Sequence, residues 1–155
     1  MSKSLKRVTR ALIAAGLDSA PVEIGAATTA QMAADQLGCE IDQIAKSIIF
    51  AGQNSGLALL FITAGGNRVD NARASVLANE PLGRADAALI RAQTGFAIGS
   101  VSPVGHLNPP RAFFDPRLME FARIWAAAGT PRHVFAAAPD DMLRASGAEL
   151  AEFTQ

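Results

Sequence analysis

Ile44-Ala-Lys-Ser-Ile-Ile-Phe-Ala51, Gly52-Gln-Asn-Ser-Gly56 and Leu57-Ala-Leu-Leu-Phe-Ile-Thr63 follow one another without interruption. Two runs rich in β-branched and aromatic residues, separated by a short polar and glycine segment, read as a β-hairpin. In the first run, the two-residue period of a strand puts Ile44, Lys46, Ile48 and Phe50 on one face. A lysine on such a face either carries its ammonium group to a wet rim or meets a specific anion. The chain has only three lysines, and Lys3 and Lys6 fall in the first six residues, so Lys46 stands alone in an apolar stretch. Two readings stay open for it: a solvated lysine at the start of a strand, or a cationic anchor at the mouth of a pocket.

Upstream of the hairpin, Leu5, Val8, Leu12 and Ile13 recur with helical spacing, with Lys3, Lys6, Arg7 and Arg10 on the other side. This predicts an amphipathic helix ended by Gly16, its basic side a solvated surface. Thr28-Thr-Ala-Gln31 has the form of a capping box opening a second helix that stops at Gly38. Downstream, residues 64–67 form a turn, and Asp70 caps a helix carrying Ala72, Val76 and Leu77. A further helix spans 85–93 with Gly95 as its stop, 96–101 reads as a strand, and a loop rich in Pro and Gly runs to Pro110. Asp115-Pro116 opens a helix that Leu118, Phe121, Ala122 and Trp125 could continue to Gly129. Residues 124–128, Ile-Trp-Ala-Ala-Ala, fit a buried strand equally well. Gly129-Thr-Pro131 turns the chain, 133–137 reads as a strand, and 139–146 as a short helix stopped by Gly147. Short strands mixed with short helices, without a regular βαβ rhythm, indicate a single α+β domain over 1–155.

The composition sets bounds. The 155 residues are 50% apolar and 18% charged, enough for a core that needs no disulfide or metal, and too apolar for disorder. The longest apolar runs, 57–62 and 124–128, are far short of the roughly 20 residues of a membrane-spanning helix. The N-terminus lacks the apolar segment and cleavage site of a secretory signal. One cysteine, Cys39, precludes an internal disulfide and any multi-cysteine metal site, and nothing around it activates a thiolate. The expectation is a soluble cytoplasmic protein without membrane partner, metal or cofactor. Fourteen basic residues balance 14 acidic ones, with pI near 6.7. That balance argues against gripping a long nucleic-acid backbone such as DNA, but leaves room for recognising a short nucleic-acid end.

The other stretch with chemical promise is Thr94-Gly-Phe-Ala-Ile-Gly-Ser-Val-Ser-Pro-Val-Gly-His106. Glycines and a proline at this density permit backbone N–H groups to be aimed at a ligand oxygen, although they also punctuate ordinary turns. It is not a phosphate loop, because neither GxxxxGK[ST] nor GxGxxG occurs. His106 follows this loop, where it could line a pocket or assist with a proton. His133 reads as an ordinary strand or surface residue. The two histidines lack the spacing of a metal pair. Arg68 and Asp70 read as a local pair or cap.

Taken together, the Lys46 strand, Gly65-Gly-Asn-Arg-Val-Asp70, the 94–106 stretch, Ala127-Ala-Gly-Thr-Pro131 and the 139–143 segment resemble the YbaK/prolyl-tRNA-synthetase-associated editing domains, from about Thr28 to Phe153. The resemblance implies a mixed, roughly closed six-to-seven-stranded barrel surrounded by helices, which favours a strand at 124–128. It implies a freestanding deacylase that hydrolyses the ester of a mischarged tRNA, tRNA-Pro or a related tRNA carrying a small wrong amino acid. By position, Lys46 would hold the phosphate of the terminal adenosine, and Gly99-Ser-Val-Ser-Pro103 would be the Gly-x-x-x-Pro loop that positions the ester. The site implied is Lys46, Gly99 and His106 for catalysis, with Thr28, Ser47, Ser100, Val101, Ser102 and Pro103 around the substrate. Several members rely on the ribose hydroxyl of the substrate rather than a protein base. An activated ester needs positioning and charge stabilisation more than a strong nucleophile, which agrees with the lack of a triad. Prolyl editing relatives often follow the lysine with Asn or Thr where this chain has Ser47, so the amino acid is not carried over. The implied partners are the acceptor end of a mischarged tRNA and an aminoacyl-tRNA synthetase. The competing readings are a non-catalytic module of the same fold that binds a nucleotide or tRNA end, and a structural partner of a synthetase.

Overall fold

A computed structural model describes residues 2–155. Its order of elements is α1 (Lys3–Ala14), β1 (Val22–Glu23), α2 (Ala30–Leu37), β2 (Ile44–Gly52), β3 (Ala58–Ala64), α3 (Asn71–Ala78), β4 (Leu82–Arg84), α4 (Ala87–Thr94), β5 (Arg111–Phe114), β6 (Ile124–Thr130), β7 (His133–Ala137), α5 (Pro139–Ser146) and β8 (Glu149–Leu150). Short 3₁₀ turns at Ile41–Gln43 and Pro116–Glu120 precede β2 and β6.

The hairpin is the centre of the sheet. β2 and β3 pair antiparallel from Ala45↔Ala64 to Ala51↔Ala58. The strand order is β1-β7-β6-β2-β3-β5-β8, with β4 also on β2. β3 is buried along its whole length because both of its faces are covered. Leu60 and Ile62 face the main core with Leu5, Val8 and Leu12 of α1 and Ile90 of α4, whereas Leu59 and Phe61 face a second cluster with Ala74 and Ala78 of α3 and Phe153. Phe61 stacks on Phe113 at 5.2 Å and meets the edges of Phe50 and Phe153. A third cluster joins Ala33 and Ala34 of α2 to Ile44, with Trp125 packed against it.

The sheet is mixed and has eight strands, and it does not close into the expected barrel. It runs from β1 to β8, two strands of two residues each, whose pairing is with β7 and β5 alone. Residues 124–128 lie in β6, paired antiparallel with β7, so the strand alternative holds and the helix that begins at Asp115-Pro116 ends as a single 3₁₀ turn. Residues 96–101 are not a strand: Gly95 ends α4 at φ +81°, and a turn closed by Ser100 N–H donating to the Ala97 carbonyl leaves the segment a loop. The helix N-cap in α2 is Thr29, whose hydroxyl accepts from Met32 N–H, one residue later than the Thr28 capping box. Ile13 is 70% exposed and does not share the buried stripe of α1.

One irregularity opens the sheet beside Lys46. β2 pairs with β6 in parallel at Ile44↔Trp125 and Ala45↔Ala126 only, and with β4 from Phe50 onward. Between those contacts, residues 46–49 have no ladder partner on that edge. A split in a sheet exposes backbone polar groups that something else must meet.

Candidate functional site

A cavity of about 300 Å³ opens at this split. Lys46, Ser47 and Ile48 from β2, Ala126 and Ala127 from β6, Thr28, Thr29, Ala30 and Ala33 at the start of α2, and Gly99 and Val101 from the loop after α4 line it. Lys46, Ser47, Thr28, Gly99 and Val101 are therefore brought together at one cavity, whereas Ser100, Ser102, Pro103 and His106 are not among its lining residues.

Lys46 lies on the face shared by Ile44, Ile48 and Phe50 and is half-buried. Its Nζ donates to the Gly65 carbonyl at 3.1 Å. An ammonium has three N–H donors, so two remain for a ligand. Burial, and then the charge of Arg68, push its pKa below the usual lysine value, with Asp42 and Asp115 acting against the shift. An anion delivered to this point would relieve both pressures at once.

The turn that holds Gly65 is itself fixed by two carboxylates. Asp115, 2% exposed, accepts from Ala64 N–H, from Asn67 Nδ2 and from Arg117 N–H. Asp42 accepts from Gly66 N–H at 2.8 Å and pairs with Arg117 Nε at 2.9 Å. Gly65 has no room for a side chain, since a Cβ would run into the Ile41 carbonyl. Asp70, by contrast, caps α3 through Ala72 and Arg73 N–H, and none of the ion pairs among the described residues joins it to Arg68.

The loop after α4 presents Gly99 at φ +85°, where a Cβ would meet no protein atom within 4 Å. The N–H groups of Gly99 and Val101 make no hydrogen bond among the described residues. Ser100, Val101, Ser102 and Pro103 are buried, with Ser102 Oγ accepting from Val104 N–H. Ser47 Oγ is buried without a hydrogen-bond partner. A buried hydroxyl without a partner and an ammonium with N–H donors to spare thus stand at one mainly apolar cavity, a combination that polar groups of a ligand can satisfy.

His106 does not line this cavity. Its Nε2 lies 2.7 Å from the Ser102 carbonyl, which can only accept, so Nε2 carries a hydrogen. Its ring meets Phe96 edge to face at 5.7 Å. Burial, and beyond it the charge of Arg7, lower its pKa from the ordinary value. His133 does line the cavity, with Nδ1 2.7 Å from Thr130 Oγ1. The sequence reading missed it because its place depends on the irregular register between β6 and β7, where Thr130 and His133 pair after Ala127 and Val134. Two histidines in one short chain, one per candidate segment, were the only signal available.

Among the described residues no group of three or more His, Cys, Asp or Glu could hold a metal, and no helix is long and apolar enough to cross a membrane.

Comparison with known proteins places this architecture. A family model described as "Aminoacyl-tRNA editing domain" matches residues 25–145. The uncharacterized protein YwhH of Bacillus subtilis (strain 168) is 26% identical over 114 residues, 74% of this chain and 72% of that protein. A crystal structure of a proposed trans-editing enzyme for prolyl-tRNA synthetase superposes with a TM-score of 0.92 at 42% identity, covering 100% of this chain and 99% of the other. A hypothetical protein at 23% identity shares the fold, with a TM-score of 0.87 over 96% of this chain and 99% of its own.

Proposed function

Since the chain belongs to the aminoacyl-tRNA editing domain family, we propose that it is a freestanding deacylase that hydrolyses the ester between a small wrong amino acid and the terminal adenosine of a tRNA. The observation that carries this reading is the convergence of Lys46 and Gly99 on one cavity at the split between β2 and β6. The similarity to a proposed trans-editing enzyme for prolyl-tRNA synthetase supports tRNA-Pro as the first tRNA to try.

In this reading Lys46 binds the phosphate of the terminal adenosine with the N–H groups that Gly65 leaves free. The amides of Gly99 and Val101 face the ester carbonyl, where charge builds as water adds. The new C–O bond to water forms as the bond to the ribose oxygen breaks. The proton of the water passes by way of the vicinal ribose hydroxyl to the departing oxygen. The alanine-rich wall from Ala27, Ala30, Ala33, Ala126 and Ala127 takes the amino-acid side chain, with Thr28 and Ser47 as its polar contacts. Ser100, Ser102 and Pro103, being buried, shape the loop from behind.

His106 then acts as a brace rather than an acid or base. Its unfolded pKa is about 6.5, and its folded pKa is lower. The unfolded chain therefore takes up the proton first as pH falls, so the stability that neutral His106 contributes is present above about pH 6.5 and is lost as pH drops through the folded value. Denaturant midpoints measured from pH 8 to 5 should decline on the acid side for the wild type, and less so for His106→Gln. A His106→Ala enzyme should retain hydrolysis within a few-fold at neutral pH. A hundredfold loss accompanied by a changed pH–rate profile would return His106 to the proton transfer.

The function is tested by offering catalytic amounts of the protein a panel of tRNAs charged with alanine, cysteine, serine and proline and following release of the amino acid. Turnover of one mischarged tRNA, with the correctly charged one spared, is the expected outcome. Tight binding of the same tRNAs without release would make the protein a binding module.

A further inference from the structure

We propose that Arg7, on α1, is a positioning residue that clamps the two feet of the 96–104 loop together and so keeps Gly99 on the cavity wall. The inference rests on the deacylase reading for its kinetic consequences, but not for its geometry. Arg7 lies outside the stretch matched by the family model, 25–145, so family membership does not assign it.

The basic side of α1 is not uniform. Lys3, Lys6 and Arg10 are exposed, as a solvated surface requires, but Arg7 is half-buried. Its Nη2 donates to the Gly95 carbonyl at 2.7 Å and its Nε to the Gly105 carbonyl at 3.2 Å. Those two carbonyls flank the loop, one where α4 ends and the other just before His106. Both glycines have positive φ, +81° and +82°. The planar fork of a guanidinium can satisfy two acceptors held at a fixed separation, which a lysine ammonium on a flexible stem does less well.

The guanidinium carbon also lies 4.9 Å from the centroid of Phe96, which is fully buried. Phe96 also meets the ring of His106 edge to face, and His106 Nε2–H reaches the Ser102 carbonyl. Arg7, Phe96, His106 and Ser102 thus form a continuous chain of contacts running behind the loop. α1 is itself anchored through Leu5, Val8 and Leu12 in the main core. Together with the backbone bonds from Leu107 N–H to the Thr94 carbonyl and from Asn108 N–H to the Gln93 carbonyl, this refers the loop to the body of the domain, while among the described residues its exposed tip, Ile98 and Gly99, has no comparable tie.

Losing the clamp should loosen the orientation of the loop amides more than it affects the Lys46 side of the cavity. In the full-length protein, Arg7→Met keeps much of the side chain's apolar bulk and removes its donors. We expect kcat on a mischarged tRNA to fall about 10- to 100-fold with KM within about threefold of the wild type, the mark of lost transition-state positioning. Amide exchange at Ser100, whose N–H bonds to the Ala97 carbonyl, should quicken about tenfold or more as the loop opens more often. Arg7→Lys, restoring one donor group, should fall between the two on both measures.

Wild-type kcat and exchange in Arg7→Met would overturn the proposal. So would a rise in KM with kcat unchanged, which would put Arg7 in contact with substrate. If Arg7→Met does not fold, Arg7→Lys decides by the same two readouts, wild-type values of both again overturning the clamp. Should the wild type hydrolyse no mischarged tRNA, the deacylase reading fails, and exchange at Ser100 alone still decides whether Arg7 holds the loop.

Discussion

Lys46→Met is expected to lower single-turnover deacylation by about 30- to 1,000-fold, from the roughly 2–4 kcal/mol that a charge-assisted phosphate contact contributes in a partly dehydrated site. Methionine keeps most of the aliphatic stem on the strand face shared with Ile44 and Ile48, so the fold should survive. The one intramolecular bond lost is that from Nζ to the Gly65 carbonyl. The cost to stability should be about 1 kcal/mol, because a single hydrogen bond contributes roughly that much net. An unfolding curve and a hydrolysis time course on the same sample separate the two effects. Lys46 is held by its carbonyl partner, and its charge is opposed by burial and by Arg68. Such a group is poised to bind an anion. Near wild-type hydrolysis by a folded Lys46→Met protein would remove it from the mechanism.

The second large effect is expected at Gly99. Its φ of +85° is a conformation that L side chains rarely adopt, so alanine there costs about 1 kcal/mol or somewhat more in backbone strain. Apart from its chain neighbours, no protein atom lies within 4 Å of the added methyl group, so no other part of the protein resists it sterically. In the proposed deacylase, what it would meet is the substrate in the cavity that Gly99 lines. Gly99→Ala should therefore reduce kcat/KM about 10- to 100-fold, well beyond its effect on stability, because displacing reacting groups by a fraction of an ångström is enough for such losses. Michaelis–Menten and denaturation data on the same variant test this. Activity that falls only as far as the folded fraction falls would mean the loop tip does not approach the ester.

How much of this was legible in the sequence differs from segment to segment. The β2–β3 hairpin was, because both runs carry their β character locally and the turn residues sit between them. The face of Lys46 was also legible, since a period of two needs no tertiary information. The helix stops at Gly16, Gly38, Gly95 and Gly147 were readable from the left-handed conformation that glycine supplies, and all four have positive φ. The short strands β1, β4, β5 and β8 were not. Two to four residues carry too little pattern, and what makes them strands is the neighbour they pair with. Residues 96–101 misled for the converse reason: Phe96, Ile98 and Val101 give a strand-like composition, but Phe96 is buried as an anchor and Ile98 is exposed.

The candidate site shows the same division. Lys46, Ser47, Thr28, Gly99 and Val101 could be named from motif resemblance, and all line one cavity. What could not be read was that His133 lines the cavity and His106 does not, because this depends on which strand register and which loop closure each one meets. Asp115 was visible only as a helix start. It caps the 3₁₀ turn through Arg117 N–H and also holds Ala64 and Asn67 in the turn below Lys46, a role that sequence separation of 48 to 51 residues conceals. Arg7 looked like one more solvated cation on a basic face. Only the fold brings the Gly95 and Gly105 carbonyls within its reach.

In the proposed deacylase, positioning by Lys46 and the Gly99 loop, with the substrate supplying its own proton relay, should be sufficient to hydrolyse an aminoacyl ester. The most direct test is a single-turnover measurement on one mischarged tRNA prepared twice, with a native terminal adenosine and with its vicinal ribose hydroxyl replaced by hydrogen. The account requires that the native substrate be hydrolysed by the wild-type protein, and that the deoxy substrate be bound with similar affinity and left intact. Hydrolysis of both at the same rate would contradict it and demand a base on the protein. Failure to hydrolyse the native ester, with every tRNA of the panel equally resistant, would contradict the deacylase itself.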